Sequence, residues 1–117
     1  MRATEVVDLI RGAEPRARSP FARVPRTAVL EAETAGVAGM HGDTVAFEVQ
    51  VWRDPGSRGG RRHHLRVSTS TGYSRTWGYP GRHVERCWAE YGDILAAIAV
   101  NAGGTYAVTR TKERGLG

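Results

Sequence analysis

Residues Thr44 to Arg53 read TVAFEVQVWR. Val45, Phe47, Val49 and Val51 take every second position, with Thr44, Ala46, Glu48, Gln50 and Trp52 between them. Successive strand side chains point to opposite faces, so this pattern turns one apolar face to a core and one mixed face outward. Asp54-Pro55-Gly56 ends the run with turn chemistry. After Gly59 and Gly60 a second alternation begins, with His63, Leu65, Val67 and Thr69 against His64, Arg66, Ser68 and Ser70. The two runs predict a central antiparallel hairpin, 44–53 with 62–70. Its long tip runs from Arg53 to Arg62, and the glycines are expected to keep it flexible.

Working outward, residues 73–79 read as a third strand, with Tyr73, Arg75, Trp77 and Tyr79 on one face. Pro80-Gly81 turns the chain into the main helix, about 82–101. There Val84, Trp88, Tyr91, Leu95 and Ile98 step by four, three, four and three, an apolar seam at helical spacing. Gly92, followed by Asp93, marks a place for a kink. Residues 105–111 alternate again and suggest a last strand. On the other side, 27–34 leans to strand, after which Gly36, Gly39 and Gly42 are expected to break the chain, with Met40 and His41 between them. Residues 3–11 form a short amphipathic helix through Val6, Leu9 and Ile10, with Gly12 as its stop.

Between that helix and the first strand, residues 13–26 hold Pro15, Pro20 and Pro25. Proline removes a backbone donor and disfavours helix in the residue before it. The segment reads as an exposed Pro/Arg-rich connector whose one large apolar anchor is Phe21. The fold class is α+β: a small antiparallel sheet of three to five strands, one long helix packed on one face, and a short N-terminal helix. The 117 residues fit a single domain, with a frayed tail at 112–117.

Composition excludes several classes. No apolar run reaches the ~18 residues of a membrane span, and the first residues lack the apolar stretch of a signal peptide. A cytoplasmic protein without a membrane partner is the expectation. Cys87 is the single cysteine, which leaves no intrachain disulfide and no cysteine-rich zinc site. The 17 basic against 12 acidic residues give a net charge of +5. Sixteen of the basic residues are Arg, beside 15 Ala and 15 Gly, a bias that GC-rich codons alone produce. The distribution of charge is therefore more informative than its total. Arg11 to Arg26 carries five Arg against Glu14, a local +4, and Arg53 to Arg82 carries seven against Asp54, a local +6. Residues 27–50 sum to −4 through Glu31, Glu33, Asp43 and Glu48.

The basic middle is the candidate site. Arg58, Arg61 and Arg62 sit on the hairpin tip, where they can follow a phosphate backbone. His64 and Arg66 are expected on the sheet face away from the core, beside Trp52. Tyr73 and Trp77, with Tyr79, are the expected stacking rings for unpaired bases, flanked by Arg75 and Arg82. The function expected is that of a small basic protein, not an enzyme, that binds nucleic acid with no cofactor and no metal. The alternative is an interaction or assembly component of a phage or mobile element, binding an acidic protein partner or forming a homo-oligomer through its opposed charged segments.

Catalytic readings fare worse. His63 and His64 are adjacent, so on a strand they point to opposite faces and do not chelate one metal together. His83-Val84-Glu85 matches half of the zinc-deaminase signature, but the second cysteine it needs does not exist. Ser68-Thr69-Ser70 alternates hydroxyls along an exposed strand and needs no catalytic explanation. Cys87, beside the helix seam, reads as a buried and inert thiol. A small enzyme using His63, His64 or His83 as acid–base groups is the least favoured reading.

Overall fold

A computed structural model describes residues 3–40, 43–102 and 104–113. Strand β2 (Asp43–Asp54) holds the centre of the sheet because its alternation is the strongest in the chain, and Val45, Phe47, Val49 and Val51 are all buried. It pairs with β1 (Val29–Met40) on one side and β3 (Arg62–Thr69) on the other. Strand β4 (Ser74–Tyr79) closes the β3 side and β5 (Thr105–Lys112) the β1 side. The order is β4-β3-β2-β1-β5, antiparallel throughout.

Helices α1 (Ala3–Gly12) and α2 (Val84–Asn101) cover one face. Val6 and Ile10 of α1 and Cys87, Ile94 and Ile98 of α2 meet Phe47, Val49, Val51, Leu65, Val67, Trp77 and Tyr79 in a single core. The architecture is thus α+β, as the patterning predicts. No helix among the described residues is long and apolar enough to cross a membrane.

Five details depart from the sequence reading. Strand β1 does not stop near residue 34 but runs on through Gly36 and Gly39. At Gly36 the backbone of β5 comes so close that an added Cβ would lie 2.3 Å from the Ala107 carbonyl oxygen. That glycine admits a neighbouring strand and breaks nothing. Gly42 and His41 lie outside the described residues. The buried line of α2 runs through Cys87, Ile94 and Ile98, with Trp88, Tyr91 and Leu95 on its flank, a rotation from the expected seam. Helix α2 is continuous past Gly92, whose solvent-facing position costs only helix propensity of about 1 kcal/mol. The tail expected to fray begins with Lys112, the last residue of β5, and residues 114–117 lie outside the described ones.

The connector is the fifth departure. Its backbone joins the outer edge of β4: the Ala22 amide donates to the Thr76 carbonyl at 3.1 Å, and the Thr76 amide donates to the Pro20 carbonyl at 3.5 Å. Phe21 forms a parallel bridge with Thr76 there, yet its side chain is 84% exposed and anchors nothing. From that edge the chain must reach Val29 at the start of β1, three strands away. Past that edge, Ala22, Arg23 and Val24 border Arg66, Ser74 and Thr76, on the sheet face opposite the helices.

Candidate functional site

The hairpin tip is a set of hydrogen-bonded turns. The Asp54 carbonyl accepts from the Ser57 amide and hydroxyl, the Ser57 oxygens accept from the amides of Gly60 and Arg62, and Arg53 Nη1 donates to the Gly60 carbonyl at 3.3 Å. Gly59 and Gly60 take positive φ, 73° and 64°, which lets so tight a turn follow a long strand. Arg58, Arg61 and Arg62 project from it, all exposed.

The tip leans on the turn between β4 and α2. An added Cβ at Gly81 would lie 2.9 Å from Arg61 Cβ, and one at Gly78 would lie 2.7 Å from Arg62 Nη2 and 3.5 Å from Ala22 Cβ. Arg18 of the connector reaches the same place. Its Nη1 donates to the Gly78 carbonyl at 3.4 Å, and its guanidinium lies 4.8 Å from the centre of the Tyr79 ring. Arg82 Nε donates to His83 Nε2 at 3.3 Å. His83 is held below the usual imidazole range by desolvation and by the charges of Arg18, Arg82 and Arg86. Two basic segments far apart in sequence therefore meet around residues 78–83.

Glu31, Glu33 and Glu48 of the acidic segment pair with arginines of the same chain. Glu31 pairs with Arg53 at 2.6 Å, and Arg110 reaches buried Glu33 and the half-exposed Glu48. Gln50 donates to Glu33 at 2.9 Å and accepts from Trp52 Nε1 at 3.1 Å, which completes a polar network on the open face. By contrast, Arg58, Arg61, Arg62, Arg66 and Arg82 make no ion pair among the described residues. Arg86 is paired with Glu90 at 3.4 Å, and Glu90 also accepts the Tyr79 hydroxyl.

Several residues expected at the site lie elsewhere. Trp77 is 1% exposed and Tyr79 is fully buried, because their side of β4 faces α2. Tyr73, 6% exposed, is enclosed between the guanidinium groups of Arg11 and Arg75, 5.6 and 4.8 Å from its ring. None of these rings offers a free face for stacking. Arg75 itself belongs to a separate cleft beside α1, with Asp8 and Arg11. His64 does project away from the core, but it is 3% exposed, since the connector passes over that end of the sheet. Burial, then the nearby Arg62 charge, lowers its pKa and favours the neutral ring.

His63 and His64 do point apart: His63 packs edge-on against Trp88 of α2, on the helix-covered face. No three described His, Cys, Asp or Glu residues are placed to share a metal ion. Cys87 is buried, and burial pushes its thiol up to about 12. Arg18, Phe21 and Arg23 join the candidate surface, although the sequence reading left them outside the site, on an exposed basic connector. The local signal was the prolines themselves, which suit a segment lying along a strand edge. No family model, curated protein or solved structure matches the chain.

Proposed function

We propose that this protein is a non-enzymatic nucleic-acid-binding protein that holds an unpaired strand on its basic end. The observation behind this reading is the meeting of two basic segments around Gly78, where Arg18, Arg61 and Arg62 converge while Glu31, Glu33 and Glu48 are paired with Arg53 and Arg110. Arg18 is held there by Gly78 and Tyr79, while Arg61 and Arg62, which make no ion pair among the described residues, are free to contact phosphates. Phe21, exposed between Arg18 and Arg23, supplies the stacking ring that buried Trp77 and Tyr73 do not. The pairing of Glu31, Glu33 and Glu48 with arginines of the same chain favours this reading over assembly through opposed charged segments.

Fluorescence anisotropy with labelled single-stranded and duplex DNA and RNA, over a range of salt, tests the reading. Binding should prefer the single strand and weaken steeply with salt. Reversal of Arg58, Arg61 and Arg62 to Glu should lower affinity by about a hundredfold or more. Phe21→Ala should reduce single-strand affinity about tenfold, in line with one lost stacking contact. Unchanged affinity in the triple reversal sinks the proposal. An acidic protein captured in its place, with no oligonucleotide bound at low salt, does the same.

A further inference from the structure

On the open face of the sheet, the connector and strands β3 and β4 enclose a cleft of about 270 Å³ lined by Ala22, Arg23, Val24, Arg66, Ser74 and Thr76. Its chemistry is one-sided. Two guanidinium groups and two hydroxyls line it, with no carboxylate among the described lining residues. Glu48, two strand positions from the partner of Arg66, is turned toward Gln50 and Arg110 instead. Arg23 and Arg66 are exposed and make no ion pair among the described residues. The cleft also has a rigid wall, because the backbone of Thr76 is bonded on both sides to the connector, at Pro20 and Ala22.

The geometry points to a phosphoryl-binding subsite in this cleft, with Arg23 and Arg66 neutralising a tetrahedral oxyanion and the Ser74 and Thr76 hydroxyls donating to it. Guanidinium forks match phosphate oxygens, and hydroxyl donors complete a tetrahedral set. The subsite deepens the nucleic-acid reading above: it adds a phosphate position further along β3 and β4 from the hairpin tip. Phe21, next to Ala22 and Arg23 in the chain, places a stacking ring beside it. The anion is either a backbone phosphodiester or the terminal phosphate of a strand, which share the same oxygen geometry.

The test is a titration of the full chain with inorganic phosphate, followed by the amide resonances in proton–nitrogen correlation spectra. Ionic strength is held near the physiological ~0.15 M with chloride. Saturable shifts should localise to Ala22–Val24, Arg66, Ser74 and Thr76. Arg23→Gln and Arg66→Gln should each weaken phosphate about tenfold, the expectation for one lost charge-assisted hydrogen bond. Arg86→Gln, which removes the same charge from helix α2 outside both proposed contact regions, should leave phosphate binding unchanged. The Arg23 and Arg66 variants alter exposed side chains and should keep the wild-type melting temperature. Absent shifts, or shifts that grow linearly and weaken as much in Arg86→Gln, overturn the subsite.

Two oligonucleotide arms separate the sources. A gain on 5′-phosphorylation that disappears in Arg66→Gln assigns the terminal phosphate. Equal affinity with and without it, reduced alike by Arg66→Gln, assigns the backbone. Oligonucleotide binding that depends on the tip and ignores Arg23 and Arg66 overturns the subsite and leaves the nucleic-acid reading standing. Saturable phosphate binding with no oligonucleotide affinity supports the subsite and overturns that reading.

Discussion

His64 on β3 stands opposite Gly78 on β4, and the room left by the missing side chain is taken by Arg62 and Ala22. Three segments meet at that point: the connector, the base of the hairpin and the strand that leads into α2. The same packing encloses the His64 imidazole and gathers the arginines, so one glycine position is linked to both stability and surface charge.

Two glycines in strands should respond differently to alanine. At Gly36 the new Cβ meets backbone of β5 and the Phe47 ring at 3.1 Å, and neither can swing aside. Gly36→Ala should cost about 2–3 kcal/mol, the range of core overpacking, or on the order of 10 °C in Tm. At Gly78 the close atom is the far end of the Arg62 side chain. Gly78→Ala should cost less than ~1 kcal/mol, because rotation of that guanidinium relieves the contact. Thermal melts of the two variants side by side check the contrast.

Trp77 should behave as a core residue and have no part in binding. Trp77→Ala should lose about 3–5 kcal/mol through the cavity it opens. Trp77→Phe should lose less and keep the wild-type affinity for any oligonucleotide. A folded Trp77→Phe protein with reduced affinity would contradict its placement beneath α2.

Stability should fall as the solution is acidified from about pH 7.5 to about pH 5.5. His64 has a folded pKa below its ordinary 6.5, chiefly through burial. The unfolded chain takes up that proton first, so the native state loses ground as pH drops through 6.5 and on toward the folded value. His83 shares the direction, but at the surface, where solvent screening shrinks its effect. Urea midpoints at the two pH values measure the slope. His64→Gln should flatten it more than His83→Gln does.

Cys87 should resist thiol reagents in the native protein. Its side chain is enclosed by the core, and a thiol raised to about 12 has almost no thiolate at neutral pH. Its modification rate should follow the population of unfolded chain as urea is added. Rapid labelling without denaturant would place the residue at the surface.

The elements whose signal lies within one stretch were readable in advance. The valines of β2 and the helical spacing of 84–98 carry their own period, and local period is what decides strand or helix. The central hairpin followed from where those periods stopped, and its register came with the structure. Strand β1 was half readable, because a glycine that admits a neighbouring backbone cannot be told from one that ends a strand. The difference at Gly36 is the presence of Ala107, far along the chain. The candidate rings were misplaced for a related reason. Tyr73, Trp77 and Tyr79 do alternate as strand residues should, but alternation does not say which face a helix will cover.

By itself, the sequence determined the elements, their antiparallel character, the buried thiol and the existence of two basic segments. These depend on neighbours in the chain, through side-chain period, proline and glycine geometry, and residue charge. Only the tertiary structure decided that the connector lies on the edge of β4, that Arg18 reaches Gly78 across 60 residues, and that Glu33 is matched by Arg110 across 77. Those contacts come from packing between segments distant in sequence. A linear pattern records the tendency of each segment to be covered, and the fold alone selects what covers it.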